Sequence, residues 1–417
     1  MKHKRMILFV SMVMVLSVLL LVGMLYLRAI PPNTIPPNTR APSAVVRIVT
    51  NDSDRGPGSL RQAIADAASG DTITFNADYT ITLTGELVLS KNLTIDGQTH
   101  QVTVSGNHAT RVFNVTAGNV TLAHLTIANG NAQTIDCGPS AAWCGGGIIL
   151  QNSGVAVTVT HSTLSGDSAT SGGSIFNYYG ALTVQNTTLT GNSAGVGGSI
   201  YNEHGTLTVQ NSILSGNAAT DGGGIYNDIG TLTVQNSTLV DNSTLAGYGG
   251  GIYNSGLLTV NNSTLAGGQA LRGGGIYNDI GTLTMQNSTF SGNSAQHGGG
   301  IYNYPDGTLH LHNTIMANSL TGGDCYNDGG SVATNDHNLF KSTDSEACGV
   351  TNGADGSLTG TDPFLGPLAD HGGTQTFSLL PGSPALDAGN DATCLSTDQR
   401  GVARPRGIHC DIGAYEY

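Results

Sequence analysis

The chain has 417 residues, 60 of them glycine, with 15 Lys and Arg against 28 Asp and Glu, a net charge of −13. Four of the cations (Lys2, Lys4, Arg5 and Arg28) belong to the N-terminal segment, which leaves 11 against 28 in the rest, a net of about −17. That balance argues against nucleic acid and anionic lipid as partners of the outer part and suits a solvated surface protein.

Residues 6–27 carry no charge and are flanked by Lys2, Lys4 and Arg5 before and Arg28 after. At about 1.5 Å per residue they reach roughly 33 Å as a helix, enough for a bilayer core of about 30 Å. A secretory signal peptide has a shorter apolar region and a small-residue cleavage site. Residues 1–28 are therefore expected to be an uncleaved signal-anchor, with the basic end cytoplasmic and the remainder outside. Secretion after cleavage is the alternative. Residues 29–46 follow as a Pro-rich linker built on a tandem Ile-Pro-Pro-Asn-Thr, a semi-rigid spacer. A short helix is predicted over residues 59–68, placed to cap the open end of a stack.

The dominant feature comes next. A Gly-Gly-x-Ile-Tyr/Phe-Asn phrase ends at Asn177, Asn202, Asn227, Asn254, Asn278 and Asn303, with a divergent first copy ending at Leu150. Its isoleucines, from Ile148 to Ile301, are 27, 25, 25, 27, 24 and 25 residues apart. A period of this size means a stacked array. Within one repeat, Leu232, Val234 and Asn236 alternate with Thr233 and Gln235, the period of a strand. Residues 225–227 and 237–239 read as two more short strands, separated by Gly-rich turns. Three strands in about 25 residues fit one coil of a parallel β-helix, with Ile225, Leu232, Val234 and Leu239 facing inward. Two files of asparagine, one through Asn227 and one through Asn236, are expected to form side-chain amide ladders. A leucine-rich repeat is disfavoured because the return segment lacks helix formers. A calcium-binding nonapeptide roll would need a nine-residue motif that is absent.

The predicted fold is thus all-β: a single-stranded right-handed parallel β-helix of about 11 coils over residues 47–345, and a C-terminal capping module over 346–417. Three sets of residues carry a family resemblance. The Gly-Gly-x-Ile and Phe/Leu-x-x-Asn elements (Gly223 to Ile225; Phe290 to Asn293; Leu214 to Asn217) resemble repeats of chlamydial polymorphic outer-membrane proteins. Gly58-Ser59-Leu60-Arg61-Gln62-Ala63-Ile64, followed by Gly70-Asp71-Thr72-Ile73, resembles the entry segment of bacterial surface β-helix proteins. Asp362-Pro363-Phe364-Leu365-Gly366, Leu380-Pro381-Gly382-Ser383-Pro384-Ala385 and Asp411-Ile412-Gly413-Ala414-Tyr415-Glu416 resemble a choice-of-anchor C-terminal module. More broadly the chain resembles the pectin-lyase-like superfamily. The resemblance implies architecture and a surface location and says little about activity. No outer-membrane barrel is expected after Tyr417.

The six cysteines suggest disulfides in an exported chain. Nearest-neighbour pairing would join Cys137 to Cys144, Cys325 to Cys348 and Cys394 to Cys410, one of 15 connectivities. No cofactor or metal site is expected: His310 and His312 share a strand face with His297 nearby, but no third ligand is identifiable. Lyases of this superfamily need a Lys or Arg base, and the repeats hold only Arg272. Hydrolases need paired carboxylates, for which Glu203, Asp228 and Asp279 are the acidic candidates, occupying one position in successive coils. A drifting solvent-facing turn position explains them more simply. Phe176, Tyr201, Tyr226, Tyr253, Tyr277 and Tyr302 each follow an inward Ile, so alternation points them outward as an aromatic stripe, a candidate ligand-binding face. The competing explanation is a ladder that only stabilises the sheet. The sequence thus favours a membrane-tethered extracytoplasmic β-helix, adhesin-like or scaffold, with polysaccharide or other surface proteins as partners. The alternative is a polysaccharide-active lyase or glycoside hydrolase.

Overall fold

The computed structural model describes residues 44–133 and 144–417. The expected signal-anchor, nearly all of the Pro-rich linker and Cys137 lie outside the described residues. Among the described residues no helix is long and apolar enough to cross a membrane.

Residues Ala44–Tyr417 build an all-β parallel solenoid of the right-handed type with about 11 turns. One coil shows the plan. Ile225–Asp228 lies in a ten-stranded first sheet, Thr231–Gln235 in a twelve-stranded second sheet, and Thr238–Val240 in an eleven-stranded third sheet. Ser243–Thr244 adds to a five-stranded fourth sheet. The pairings between described coils are parallel and hold the repeats in register, with Ile225 on Ile252, Leu232 on Leu258 and Leu239 on Leu265, until a shift between Leu309 and His310 near the last coil. The inward file is therefore a continuous apolar column, with Ile225, Leu232 and Val234 fully buried. Each coil exposes both apolar faces until its neighbours cover them, so the stack and the core form together.

Three side-chain files fix the bends. At the first bend, the Asn227 amide donates to Asn254 Oδ1 at 2.8 Å and receives from Asn202 at 2.8 Å. This ladder runs from Asn177 to Asn327. Between the third and fourth sheets a second ladder links Asn192, Asn217 and Asn242. Its preceding member is Asp167, fully buried, which accepts from the Gly130 backbone and the Ser174 hydroxyl. The file through Asn236 differs from the expected amide ladder. It stands at the corner of the second and third sheets, where the backbone is left-handed: φ is 49° at Asn186, 48° at Asn211, 49° at Asn236 and 45° at Asn262. Asn, Asp and His tolerate that conformation best, and His124, His161 and His337 continue the file. Its side chains face away from the core and form no continuous amide ladder; contacts within the file are the His124–His161 stack at 5.1 Å and the Asn186–His161 hydrogen bond at 3.3 Å. In the Gly-Gly-Gly turn, a Cβ on Gly223 would lie 2.5 Å from the Gly250 carbonyl oxygen, so adjacent coils can close here only on glycine.

At the N-terminal end the helix Leu60–Asp66 begins at Ser59, whose hydroxyl accepts from the Gln62 amide. It buries Leu60 and Ile64 over the first coils. The sheet itself starts with Val46–Val49, paired to Thr72–Phe75. At the far end, Cys325 in the first sheet is bonded to Cys348, and Leu358 bridges to Leu339. Beyond this closure the chain reverses. Leu365–Asp370 and Gln375–Leu379 form an antiparallel hairpin lying on the outer face of the third sheet. A small second core joins Ile315, Ala317 and Leu339 to Leu379, Ala385 and Ile412. The segment 390–397 then runs as a strap up the left-handed corner: Asn390 bonds Asn313, Leu395 bonds Asn287, and Thr397 bonds Asn262. Cys394 and Cys410 close this segment with a disulfide. So residues 346–417 both close the last coil and clothe the side of four coils, burying Thr238, Thr264, Thr289 and Ile315.

Candidate functional site

The aromatic file forms on the first sheet as the strand register requires. Ring centroids are 5.2 Å apart for Phe176–Tyr201 and Tyr201–Tyr226, and 4.3 Å for Tyr226–Tyr253, with those last two planes 5° from parallel. The series continues through Tyr277 and Tyr302 at 5.2 and 5.3 Å. The sequence reading stops at Tyr302, whereas the structure adds Tyr326, 5.6 Å further on. Its signal is Gly322-Gly323-Asp324-Cys325-Tyr326-Asn327, the repeated phrase with Cys in place of Ile.

The rings are not the open outward face that alternation predicts. Phe176 is 1 % exposed, Tyr201 6 %, Tyr277 4 % and Tyr302 1 %; Tyr226, Tyr253 and Tyr326 are half-buried. Alternation sets which side of a strand a residue leaves from, but not what lies beside it. The turn preceding each Gly-Gly pair folds over the file. Tyr248 stacks on Tyr277 at 4.8 Å, and the Arg272 guanidinium lies 5.1 Å from the Tyr302 ring. Neither Tyr248 nor Arg272 is marked by the repeat, because that turn varies in length between coils.

The acidic candidates line the other edge, and they are tied to the rings. Tyr201 donates its hydroxyl to Asp228 Oδ2 at 2.9 Å and Tyr253 to Asp279 Oδ2 at 2.9 Å; Tyr302 is bonded likewise to Asp328. Each bond joins one coil to the next. Tyr226 meets Ser255 at the equivalent place and stacks on Tyr253. Burial, with Asp228 and Glu203 adding negative charge, pushes the Tyr201 hydroxyl far above the ordinary phenol range. Burial also lifts Tyr226, to about 12.

Glu203 stands apart. It is register-paired with Asp228 and 6 % exposed, and its Oε2 is buried with no hydrogen-bond partner. Its register neighbours explain this. The ring one coil earlier is Phe176, which has no hydroxyl to donate. Burial, then the charge of Asp228, raises the Glu203 carboxyl to about 7. Asp228 itself accepts from Tyr201 and from the Ser255 hydroxyl. A second buried acid, Asp167, is raised by burial to about 8 against two opposing hydrogen bonds.

His310 and His312 lie along the second sheet and both contact the Thr334 hydroxyl, at 3.0 and 3.2 Å, whereas His297 sits on the Tyr326 ring, 4.9 Å away. Among the described residues no group of three His, Cys, Asp or Glu side chains is arranged to hold a metal ion. Of the cysteine pairs, Cys325–Cys348 and Cys394–Cys410 are disulfides in the structure. Cys144 is also disulfide-bonded, and the expected 137–144 pair involves a residue outside the described set.

No protein-family model matches this sequence, and no curated protein matches it. Among solved structures it is similar to pectate lyase Pel9A, with 16 % identity over 89 % of this chain and 96 % of the other, at a TM-score of 0.48. It is also similar to jun a 1, the major allergen from cedar pollen, with 14 % identity over 69 % of this chain and 72 % of the other, at a TM-score of 0.27.

Proposed function

We propose that the protein is a membrane-tethered, extracytoplasmic β-helix that acts as an adhesin-like surface scaffold, with glycans or other surface proteins as partners. The observation that carries this reading is the internal use of the polar groups most suited to chemistry. Three tyrosine hydroxyls are spent on Asp228, Asp279 and Asp328, each bond tying one coil to the next. Groups committed in this way hold a rod together. About 11 coils at a spacing of about 4.8 Å make a solenoid of roughly 50 Å, long enough to project a surface. The uncharged segment 6–27 and the Pro-rich spacer after it support a tether at the N-terminal end. Fractionation of cells producing the full chain tests the placement. The intact chain is expected with membranes and reachable by protease added outside. A mature N-terminus beginning after Arg28 would overturn the tether, and a glycan array with the secreted portion tests the partner class.

A second reading, a glycoside hydrolase, is favoured by one observation. Glu203, its carboxyl raised to about 7 by burial and then by Asp228, is register-paired with that second carboxyl, and a raised acid beside a partner carboxyl is what such a reaction needs. The burial of Glu203 counts against it, since a sugar must reach both groups. Polysaccharide turnover that Glu203→Gln abolishes would establish this reading instead.

A further inference from the structure

The left-handed corner between the second and third sheets is used twice, and only one half is filled. Over its lower half the strap 390–397 lies in the corner, and the asparagines read its backbone. Asn313 Oδ1 accepts from the Asn390 amide at 2.8 Å, and Asn313 Nδ2 donates to the Asn390 carbonyl at 3.2 Å. Asn287 Oδ1 accepts from the Leu395 amide at 3.0 Å, and Asn262 Nδ2 donates to the Thr397 carbonyl at 2.7 Å. The side-chain amides thus serve both backbone donors and backbone acceptors. The chain then turns at 398–401 and leaves the corner, held there by Asp398, which accepts from the Arg400 and Val402 amides.

The same corner continues for three more coils as Asn236, Asn211 and Asn186, in the same φ range as the filled half. There it is an open cleft of about 560 Å³, floored by these asparagines with Thr188 and Ile213, and walled by the hairpin tip Gly372-Gly373 and by Arg400. Added Cβ atoms on Gly372 and Gly373 would meet nothing within 4 Å, so the tip does not close over the floor. Asn236 Oδ1 has no hydrogen-bond partner, a state it shares with Asn262 Oδ1, where the strap engages only the Nδ2 donor. The matching atoms of Asn287 and Asn313 are satisfied by the strap. The charged groups at the rim neutralise one another, since Arg400 lies 2.6 Å from Asp398.

The geometry points to the upper corner as a docking groove for a short polypeptide segment of a partner, bound as the strap 390–397 is bound in the lower corner. The occupant is uncharged, carries unblocked backbone N–H groups and has small side chains. Proline cannot serve where an asparagine carbonyl needs a donor, and an acidic segment would be repelled by a chain of net charge −13. The amides repeat at the coil spacing of about 4.8 Å, so successive coils engage successive stretches of backbone. The site is separate from the tyrosine file, and the inference does not depend on the surface-scaffold reading.

The test is fluorescence anisotropy of the full chain in detergent with a labelled, end-capped peptide of residues 390–397 bearing Asp391→Asn and Cys394→Ser, which makes it uncharged. Saturable binding is expected. Asn211→Gly with Asn236→Gly keeps the left-handed backbone accessible while removing two amides, and should weaken binding at least tenfold with little change in melting temperature. Thr188→Trp should abolish binding by filling the cleft. If the double variant unfolds, Thr188→Trp alone decides. Binding that survives both changes, or no binding at millimolar peptide, overturns the inference. So does binding of a neutral hexasaccharide in place of the peptide, which would make the groove a glycan site.

Discussion

The Tyr201 hydroxyl crosses one coil to Asp228 Oδ2 at 2.9 Å, one of three bonds that link the aromatic stripe to the acidic row beside it. A hydrogen bond to a charged group contributes about 1.5–3 kcal/mol. Tyr201→Phe, which keeps the ring stack, should therefore lower stability by about 1–3 kcal/mol in chemical denaturation. A loss below about 0.3 kcal/mol would show that the pair is solvent-screened and structurally idle.

The reverse change is more informative. Glu203 lacks the donor that Asp228 enjoys because Phe176 occupies the tyrosine position one coil earlier. Phe176→Tyr should supply a hydroxyl to Glu203, raise stability by about 1 kcal/mol and bring the Glu203 carboxyl down from about 7. Carbon-detected NMR titration of the Glu203 carboxyl reads the shift directly. An unchanged titration would mean that the new hydroxyl points elsewhere.

Loss of one rung in the inner ladder should cost more. Asn227→Ala removes the bonds from Asn202 and to Asn254 and the one to the Gly230 carbonyl, while the Asn202 amide keeps the Gly205 carbonyl and Asn254 Oδ1 keeps the Gly256 amide. Three buried hydrogen bonds at about 0.5–1.5 kcal/mol each should make the variant about 2–4 kcal/mol easier to unfold. The outer-corner Asn211→Gly, with the same residue type removed, should be nearly neutral by the same melting measurement.

Stability should fall as the solution becomes more alkaline across the neutral range. Asp167 is raised by burial to about 8 and Glu203 by burial and Asp228 to about 7. In each case the folded state binds the proton more tightly than the unfolded chain. The contribution is full below the unfolded values near 4, declines as pH rises through the folded values, and is flat above them. Asp167→Asn should flatten the profile between pH 4 and pH 8. It should gain on the order of 1 kcal/mol or more at pH 8 with little change at pH 4. A parallel loss at every pH would show that the carboxyl is needed for its shape alone.

The aromatic stripe as a binding face has its own test. Tyr226→Ala, Tyr253→Ala and Tyr277→Ala together should destabilise the rod, since stacked pairs contribute about 0.5–1.5 kcal/mol each. If adhesion to glycan-coated surfaces is unchanged while the melting temperature drops, the stripe is structural. Lost adhesion at a temperature where the variant remains folded would make it a ligand face.

The sequence by itself determined the coil. A 25-residue period, alternation at Leu232, Thr233 and Val234, and an Ile-Tyr-Asn phrase repeated with few exceptions leave one way to bury the apolar file. Parallel in-register stacking then follows from identity between coils. The helix begun by Ser59 was equally legible, because caps and amphipathic spacing are local. Tertiary structure alone decided which outward residues stay outward. Tyr277 and Thr264 leave their strands on the solvent side, yet both are buried: one under Tyr248 from a turn of variable length, the other under a hairpin more than 100 residues later in the chain. The same holds for the corner asparagines at 236 and 262, each followed by Ser-Thr-Leu, where Asn262 is read by the strap and Asn236 lines an open cleft. Period and alternation report contacts between neighbouring coils. What covers the outside of a solenoid comes from non-repeating segments, whose positions depend on where the chain turns back.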